Sequence, residues 1–191
     1  MKNKLHIGYH KCGSTFLQKK IFPKVGNYAG MFYLSGKHAH HDFKRFYKEN
    51  PQKTCKAIID HYNQQENIFI SCEIFSKVKH EYLFEVLDDK WDVLVVSRNL
   101  KDLLRSRSNH RAPDFFLDKK IASGIVDQEI IDFYNPKKLS SGISNLTTIS
   151  FEKIFSGDKS EIDNLSSFLG HDVYNEFVKN IDKKVNKSKK K

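Results

Sequence analysis

The chain has 191 residues, 39% of them hydrophobic and 13% aromatic, which suits one folded domain with its own hydrophobic core. The net charge is +10, but residues 183–191 hold six lysines and no acid, which leaves about +4 on the rest. No run approaches the ~18 apolar residues of a membrane-spanning helix, and the first strand has no signal-peptide pattern before it. Three cysteines without a C-x-x-C pair argue against a disulfide framework and a structural zinc site. We predict a cytoplasmic domain over 1–182 and a flexible basic tail over 183–191.

The chain begins with a predicted strand and helix. Residues 4–9 alternate as a core strand does, and a helix starts near Ser14. That helix is expected to end by Phe22, because Pro23 follows it. Residues 29–34 are then predicted to form a short strand or an irregular edge.

Two more helices flank the next predicted strand. Pro51 begins a helix, and residues 68–72 read as a buried strand with a further helix behind it. The residues expected on the inward faces of these helices repeat at helical spacing: Ala57, Ile58, His61 and Tyr62 in the first, and Phe75, Val78, Tyr82 and Val86 in the second.

Residues 93–96, Val-Leu-Val-Val, are the most strand-like run and are typical of a central parallel strand. A helix over 99–109, a stretch of helical pieces and loops, and a last strand over 147–150 follow. Asp158 and Glu161 resemble a capping box, and Gly170 is a typical helix end. This alternation predicts an α/β domain with a central parallel sheet.

The turn after the first strand carries the first motif, Gly8-Tyr-His-Lys-Cys-Gly-Ser-Thr15. Such a turn can hold a phosphate-like anion, because glycine allows close approach and N–H groups at the helix start point at the anion. Gly8 and Gly13 keep the spacing of a Walker A loop, G-x-x-x-x-G-K-[ST]. Ser14 stands where that loop has its lysine, and Lys11 precedes Gly13 instead.

A second anion site is predicted at the end of the best strand. Arg98 ends this strand, and Ser106 follows on the next helix. Asn99 and Ser106 are two helical turns apart, so both can lie on one face. A guanidinium and a hydroxyl placed in this way can share one phosphate.

Both motifs resemble those of sulfotransferases, which use the donor 3′-phosphoadenosine 5′-phosphosulfate (PAPS). The first loop has the order K-x-G-[ST]-T, and the second motif is similar to R-[DN]-P-x-x-x-x-x-S, with Leu100 in place of the proline. Glu152, interpreted as structural, and the late Phe168-Leu-Gly170 also resemble the family pattern. The resemblance covers residues 5–170. It implies a three-layer α/β/α fold like that of P-loop NTPases.

The resemblance also implies how the donor is held. Lys11 would stabilise the charge that develops on the leaving oxygen, and Arg98 and Ser106 would bind the 3′-phosphate. No metal is predicted, since lysine and backbone donors replace it. The full set of predicted donor-binding residues is Lys11, Cys12, Gly13, Ser14, Thr15, Arg98 and Ser106.

The catalytic base and the acceptor are further predictions. Glu73 ends the second strong strand, at the sheet edge where α/β sites lie, and we expect it to accept the proton of the acceptor. A structural carboxylate paired with a lysine is the alternative for Glu73. His10, which adjoins the anion loop, is the reserve candidate for the catalytic site, and a role as another anion donor is its alternative. The expected acceptor is a sugar or glycan hydroxyl, in an open site that a second subunit of a homodimer could complete.

Two other functions stay open at this point. A P-loop kinase or NTPase needs a lysine after Gly13 and an acidic residue at the end of a core strand, whereas Asp92 lies at the start of its strand. A basic nucleic-acid-binding protein would fit the charge, but no nucleic-acid-binding module is readable. We therefore predict neither a nucleic-acid nor a membrane partner.

Overall fold

The computed structural model describes residues 2–9, 11–32, 50–108, 120 and 123–188. In these ranges five parallel strands form one sheet, in the order β2-β3-β1-β4-β5. This confirms the predicted α/β architecture with a central parallel sheet. The strands are β1 (Asn3–Ile7), β2 (Tyr28–Phe32), β3 (Phe69–Cys72), β4 (Trp91–Ser97) and β5 (Leu146–Ser150).

Helices cover both faces of this sheet. The right-handed sense that is usual for parallel connections would place the helix after β1 on one face and the helices before and after β3 on the other. The C-terminal helix packs against the helix after β1, which completes three layers. The helices are α1 (Ser14–Phe16), α2 (Pro51–Tyr62), α3 (His80–Val86), α4 (Leu100–Ser108), α5 (Gln128–Phe133), α6 (Pro136–Ser140), α7 (Phe151–Ser156), α8 (Lys159–Leu169) and α9 (Tyr174–Ser188).

The helix after β1 has the predicted length but is less regular than an α-helix. α1 continues as a π-helix over Leu17–Ile21 and as a 3₁₀ turn over Phe22–Lys24. Pro23 lies in the first turn of this last piece, where a helix needs no N–H donor from it. The expectation that the helix ends by Phe22 is therefore confirmed: Phe22 caps the π-helical piece, and Pro23 belongs to a separate 3₁₀ turn.

Two other helices differ from their predicted patterns. His61 is exposed on α2, because the buried face is rotated by part of a turn. The helix after β3 consists of a 3₁₀ turn, Glu73–Lys77, and then α3. The residues that α2 does bury are Thr54, Cys55, Ile58, Ile59 and Tyr62.

The predicted ends of α8 are confirmed. The Asp158 carboxylate accepts the N–H of Glu161 at 3.1 Å, and Gly170 ends the helix with a φ of 69°. The Glu161 carboxylate accepts the N–H of Ser150 at 3.2 Å, so it ties α8 to the end of β5. Within the described ranges, no helix combines the length and apolar character needed to cross a membrane.

Candidate functional site

The predicted site residues lie at the carboxyl ends of the three middle strands. The chain leaves β1 towards β2 at one edge and leaves β4 towards β5 at the other. Ligand crevices in parallel sheets open where the connections diverge in this way. The anion loop follows β1, Glu73 follows β3 and Arg98 follows β4. The topology therefore gathers the separate sequence motifs at one place.

Hydrogen bonds to Tyr9 give the anion loop its shape. The Tyr9 carbonyl accepts the Cys12 N–H at 3.3 Å and the Ser14 hydroxyl at 3.1 Å. Cys12 and Ser14 are buried, whereas Lys11 and Thr15 are exposed. Two of the predicted donor-binding side chains thus build the turn, and two face outwards from it.

The backbone of the loop is left-handed at two positions. Lys11 has a φ of 64° and Gly13 a φ of 78°. A left-handed conformation costs a residue with a side chain about 1 kcal/mol, and such residues cluster at functional sites. Backbone strain at Lys11 is what we expect where the position of the side chain matters more than the stability of the loop.

Gly13 also lies against an aromatic wall formed by Phe151 and Phe155. A Cβ atom at Gly13 would overlap the Phe155 ring and lie 3.2 Å from Phe151. The same two phenylalanines pack on each other with ring centroids 4.6 Å apart. No side chain fits at this point, so glycine is required by packing as well as by conformation.

We expect Gly13→Ala to lower the free energy of unfolding by about 2–4 kcal/mol, because it adds overpacking to left-handed strain. Gly157→Ala is the matched control: its φ is 85°, and a Cβ there meets nothing within 4 Å. The control should therefore lose only about 1–2 kcal/mol. Urea unfolding measures both values, and equal losses for the two variants would show that the wall imposes no constraint.

Glu73 adjoins the anion loop across Gly8. A Cβ built on Gly8 would lie 3.0 Å from Glu73 Cγ and 3.3 Å from Ser14 Oγ. Because residue 8 is a glycine, the side chain of Glu73, which follows β3, can approach the anion loop, which follows β1. The structure therefore brings Glu73 close to Ser14 of the anion loop.

Burial distinguishes the 3₁₀ turn that Glu73 begins. Glu73 is 9% exposed, and Lys77, four residues later, is 8% exposed. The Ser76 hydroxyl donates to the Glu73 carbonyl at 2.7 Å and closes the turn. Charged side chains are rarely buried to this degree unless their charges are compensated. Sequence reasoning missed Lys77, because a lysine next to apolar residues is not marked as buried by the local sequence.

Arg98 joins the second motif to the first. Its Nη1 donates to the Lys11 carbonyl at 2.6 Å, and its guanidinium lies 4.4 Å from the centroid of the Phe151 ring. Its Nε is buried and has no hydrogen-bond partner among the described residues. The arginine is thus held in place while it retains a donor for a ligand.

The start of α4 is held by side chains instead of the proline typical of the second motif. The Asn99 carbonyl oxygen of the side chain accepts the N–H of Lys101 at 3.1 Å, and Glu152 accepts the N–H of Asn99 at 2.9 Å. Leu100 occupies the first helical position, where proline is favoured but not required. Ser106 is half-buried two turns further along α4.

Comparison with known proteins finds similar structures but no similar sequences. No family model matches the chain, and no curated protein sequence matches it. A sulfotransferase from Alicyclobacillus acidocaldarius is 11% identical, with 90% of this chain and 81% of that one covered and a TM-score of 0.49. The sulfotransferase domain of the Synechococcus PCC 7002 olefin synthase is 16% identical, with 92% and 75% covered and a TM-score of 0.59. The chain has a sulfotransferase fold. This confirms the fold that the two motifs implied.

The sulfotransferase fold does not favour the kinase alternative. The residues at the two ends of β4 do not favour it either. Asp92 is the second residue of β4, at the edge away from the anion loop, and Ser97 and Arg98 stand at the other end. No group of three or more His, Cys, Asp or Glu side chains among the described residues could hold a metal ion. The absence of a metal in the reaction stays a prediction.

Not every predicted residue of this sulfotransferase fold can be placed. His10 lies outside the described residues. Ser106 has the expected position on α4, but its role in phosphate binding stays a prediction. The other predicted residues meet at the anion loop in two groups, Lys11 with Arg98 and Glu73 with Ser14.

Proposed function

We propose that the protein is a sulfotransferase that takes PAPS as its donor and transfers the sulfuryl group to an acceptor hydroxyl or amine. The observation that carries this proposal is the 2.6 Å hydrogen bond from Arg98 to the Lys11 carbonyl. Two motifs 87 residues apart, each suited to one phosphate group, thereby become one site. A bisphosphorylated nucleotide has the chemistry to use both halves.

The residues present fit such a donor. The anion loop offers backbone N–H groups at a helix start, which favour a phosphate or sulfate group. Arg98 carries a buried Nε without a partner, and a buried donor of this kind gains from a charged acceptor. Lys11 is exposed beside it and adds a second positive charge.

PAPS supplies a sulfuryl group on a phosphate oxygen, which keeps the bonding electron pair when the group passes to the acceptor. Lys11 and the loop N–H groups would stabilise the negative charge on that oxygen. Glu73, across Gly8 from the loop, would take the proton that the acceptor loses. Both roles require fixed positions more than unusual reactivity.

We further propose a sugar or glycan as the acceptor. A cleft of about 400 Å³ lies between α3, α5 and α6, with His80, Phe84 and Phe133 among its lining residues. Nε2 of His80 is 3.2 Å from the Tyr9 hydroxyl. The cleft therefore adjoins Tyr9, whose carbonyl accepts the hydrogen bonds that shape the anion loop. Lysine and carboxylate side chains form its rim. Rings for the apolar face of a sugar and polar groups for its hydroxyls occur together here.

The acceptor class can be tested with radiolabelled PAPS and a panel of simple sugars, phenols and amines. Incorporation of label into sugars only would support the proposal, and incorporation into phenols only would refute the sugar assignment.

We also propose that the protein is cytoplasmic and that a second subunit of a homodimer completes the acceptor site. Sedimentation with and without acceptor tests for the homodimer.

The donor site is tested by calorimetry with 3′-phosphoadenosine 5′-phosphate (PAP), the product of the donor. We expect binding without a metal ion, weaker by about 10–100-fold in Arg98→Ala, because a charged hydrogen bond contributes about 1.5–3 kcal/mol. Arg105→Ala, which removes an exposed arginine of α4, is the control and should bind normally. Preference for ATP with Mg²⁺, or no binding of either nucleotide, would refute the proposal.

Glu73→Gln is expected to keep the affinity for PAP and to lower the transfer rate by about 10²–10⁴-fold, the usual contribution of a general base. Glu85→Gln, which changes an exposed acid of α3 outside the proposed acceptor cleft, should leave both quantities unchanged. Rates are measured with saturating donor between pH 6 and 9. A Glu73→Gln rate close to that of the unmodified protein would assign the base elsewhere.

A further inference from the structure

Three polar side chains are buried together beneath the helix that follows the anion loop. His6 and Ser71 are 0% exposed and Gln18 is 2% exposed. His6 on β1 and Ser71 on β3 are direct neighbours in the parallel register. Gln18 comes from the π-helical piece Leu17–Ile21. We call these three residues the inner polar cluster.

Ser71 is the centre of the inner polar cluster. Gln18 Nε2 donates to Ser71 Oγ at 2.8 Å, and Ser71 Oγ lies 2.7 Å from His6 Nδ1. A hydroxyl has one hydrogen to donate. The chain of bonds is therefore complete when Ser71 donates to His6 Nδ1 and the ring carries its proton on Nε2. That arrangement leaves His6 Nε2 and Gln18 Oε1 without partners among the described residues.

Stability does not explain the inner polar cluster. A buried polar atom without a partner costs roughly 1–3 kcal/mol, whereas an apolar side chain of the same shape costs nothing of this kind. The apolar residues of the same π-helical piece, Leu17 and Ile21, are fully buried. A methionine would fill the same space. The glutamine must therefore contribute something other than burial.

The position of Gln18 indicates that contribution. It lies three residues after Thr15, so the two residues occupy adjacent turns of one helical segment. Ser71, its hydrogen-bond partner, precedes Glu73 by two residues on β3. π-Helical turns are rare and are found frequently at functional sites. One hydrogen bond thus connects the helix behind the donor loop to the strand that carries the expected base.

We propose that Gln18 is a positioning residue for the donor: its bond to Ser71 fixes how the first helix sits against β1 and β3, and so where the N–H groups of residues 13–15 point. This inference rests on the proposed function, because it assumes that the anion loop binds the donor. It assigns Gln18 no contact with the donor itself.

The test compares Gln18→Met with Lys19→Met, which changes an exposed neighbour in the same π-helical piece. We expect Gln18→Met to unfold at the same or a higher urea concentration, yet to bind PAP about 10-fold more weakly, the size of effect that residues coupled to a site show. Lys19→Met should change neither quantity. Unchanged affinity in Gln18→Met, or an affinity that falls only together with stability, would overturn the proposal.

Ser71→Ala provides a second test of the same hydrogen bond, which does not depend on whether Gln18→Met folds well. It should weaken PAP binding as Gln18→Met does, and the double variant should bind no more weakly than either single one. Additive losses would overturn the proposal, since they would mean that the two residues act separately.

Amide hydrogen exchange separates this inference from the proposed function. If the unmodified protein fails to bind PAP, the proposed function fails, but exchange still reports on the loop. Gln18→Met should speed exchange at residues 13–15 and leave α8 unchanged. Equal rates in both proteins would overturn the positioning role, whatever the ligand of the loop is.

Discussion

Replacing Lys11 by alanine is expected to lower kcat for sulfuryl transfer by about 10²–10³-fold, the cost of removing one group that stabilises developing charge. The fold should be unaffected, because the Lys11 side chain is exposed and its carbonyl, not its amine, accepts the bond from Arg98. A left-handed φ of 64° is retained by either residue. The loss should therefore appear in the rate and not in the unfolding curve.

The measurement is single-turnover transfer from PAPS, with urea unfolding alongside. Lys11→Arg retains the charge and should recover part of the rate, whereas Lys19→Ala, which removes an exposed lysine behind the loop, should have no effect. Transfer by Lys11→Ala at the original rate would remove the lysine from the mechanism. If Lys19→Ala lost the rate as Lys11→Ala does, the loss would indicate a general effect of positive charge.

The sequence was most informative where chemistry and backbone geometry impose the same residue. Gly13 is fixed by a left-handed φ of 78° and by the Phe155 ring, and Arg98 is fixed by its place at the end of β4. Such residues stand at constant distances from a strand that is easy to recognise. The motif order therefore predicted the sheet, whereas the hydrogen bond from Arg98 to the Lys11 carbonyl is known only from the structure.

The π-helical piece at Leu17–Ile21 could not be predicted, because its period depends on what lies beneath it. Leu17 and Ile21 are four apart and read as an ordinary amphipathic helix. The inward turn of Gln18 is caused by Ser71, a residue 53 positions away. Lys77 was missed for a related reason, since local sequence does not show that a lysine will be buried. Contacts between distant segments decide both features.

The link between the second motif and the end of the chain also depends on such contacts. Glu152, interpreted as structural from the sequence, lies in the first turn of α7 and also accepts the N–H of Asn99 from the neighbouring segment. Phe151, the residue before it, supports the Arg98 guanidinium. The turn after β5 therefore shapes the site without supplying a residue that we expect to contact the donor.

The inner polar cluster also predicts how the protein responds to acid. Burial lowers the pKa of His6 from 6.5 to about 3, so the folded protein keeps this ring neutral through mildly acidic pH. The unfolded chain takes up the proton near pH 6.5. Between these two pKa values the unfolded state binds more protons, so stability falls as the pH falls. The full contribution of a neutral His6 is present above pH 6.5.

We expect the free energy of unfolding to drop by about 1.4 kcal/mol for each pH unit below about 6, from His6 alone. Urea unfolding at pH 7.5, 6.5, 5.5 and 4.5 measures the slope, and His6→Leu should flatten it by that amount whatever its stability at neutral pH. Burial also lowers the pKa of His80, but that residue is present in both proteins, so the difference in slope isolates His6. His171→Gln, a change at an exposed histidine, is the control and should keep the original slope. Identical slopes in His6→Leu and the unmodified protein would mean that His6 is protonated in the folded state, and the hydrogen-bond order through Ser71 would then have to be reversed.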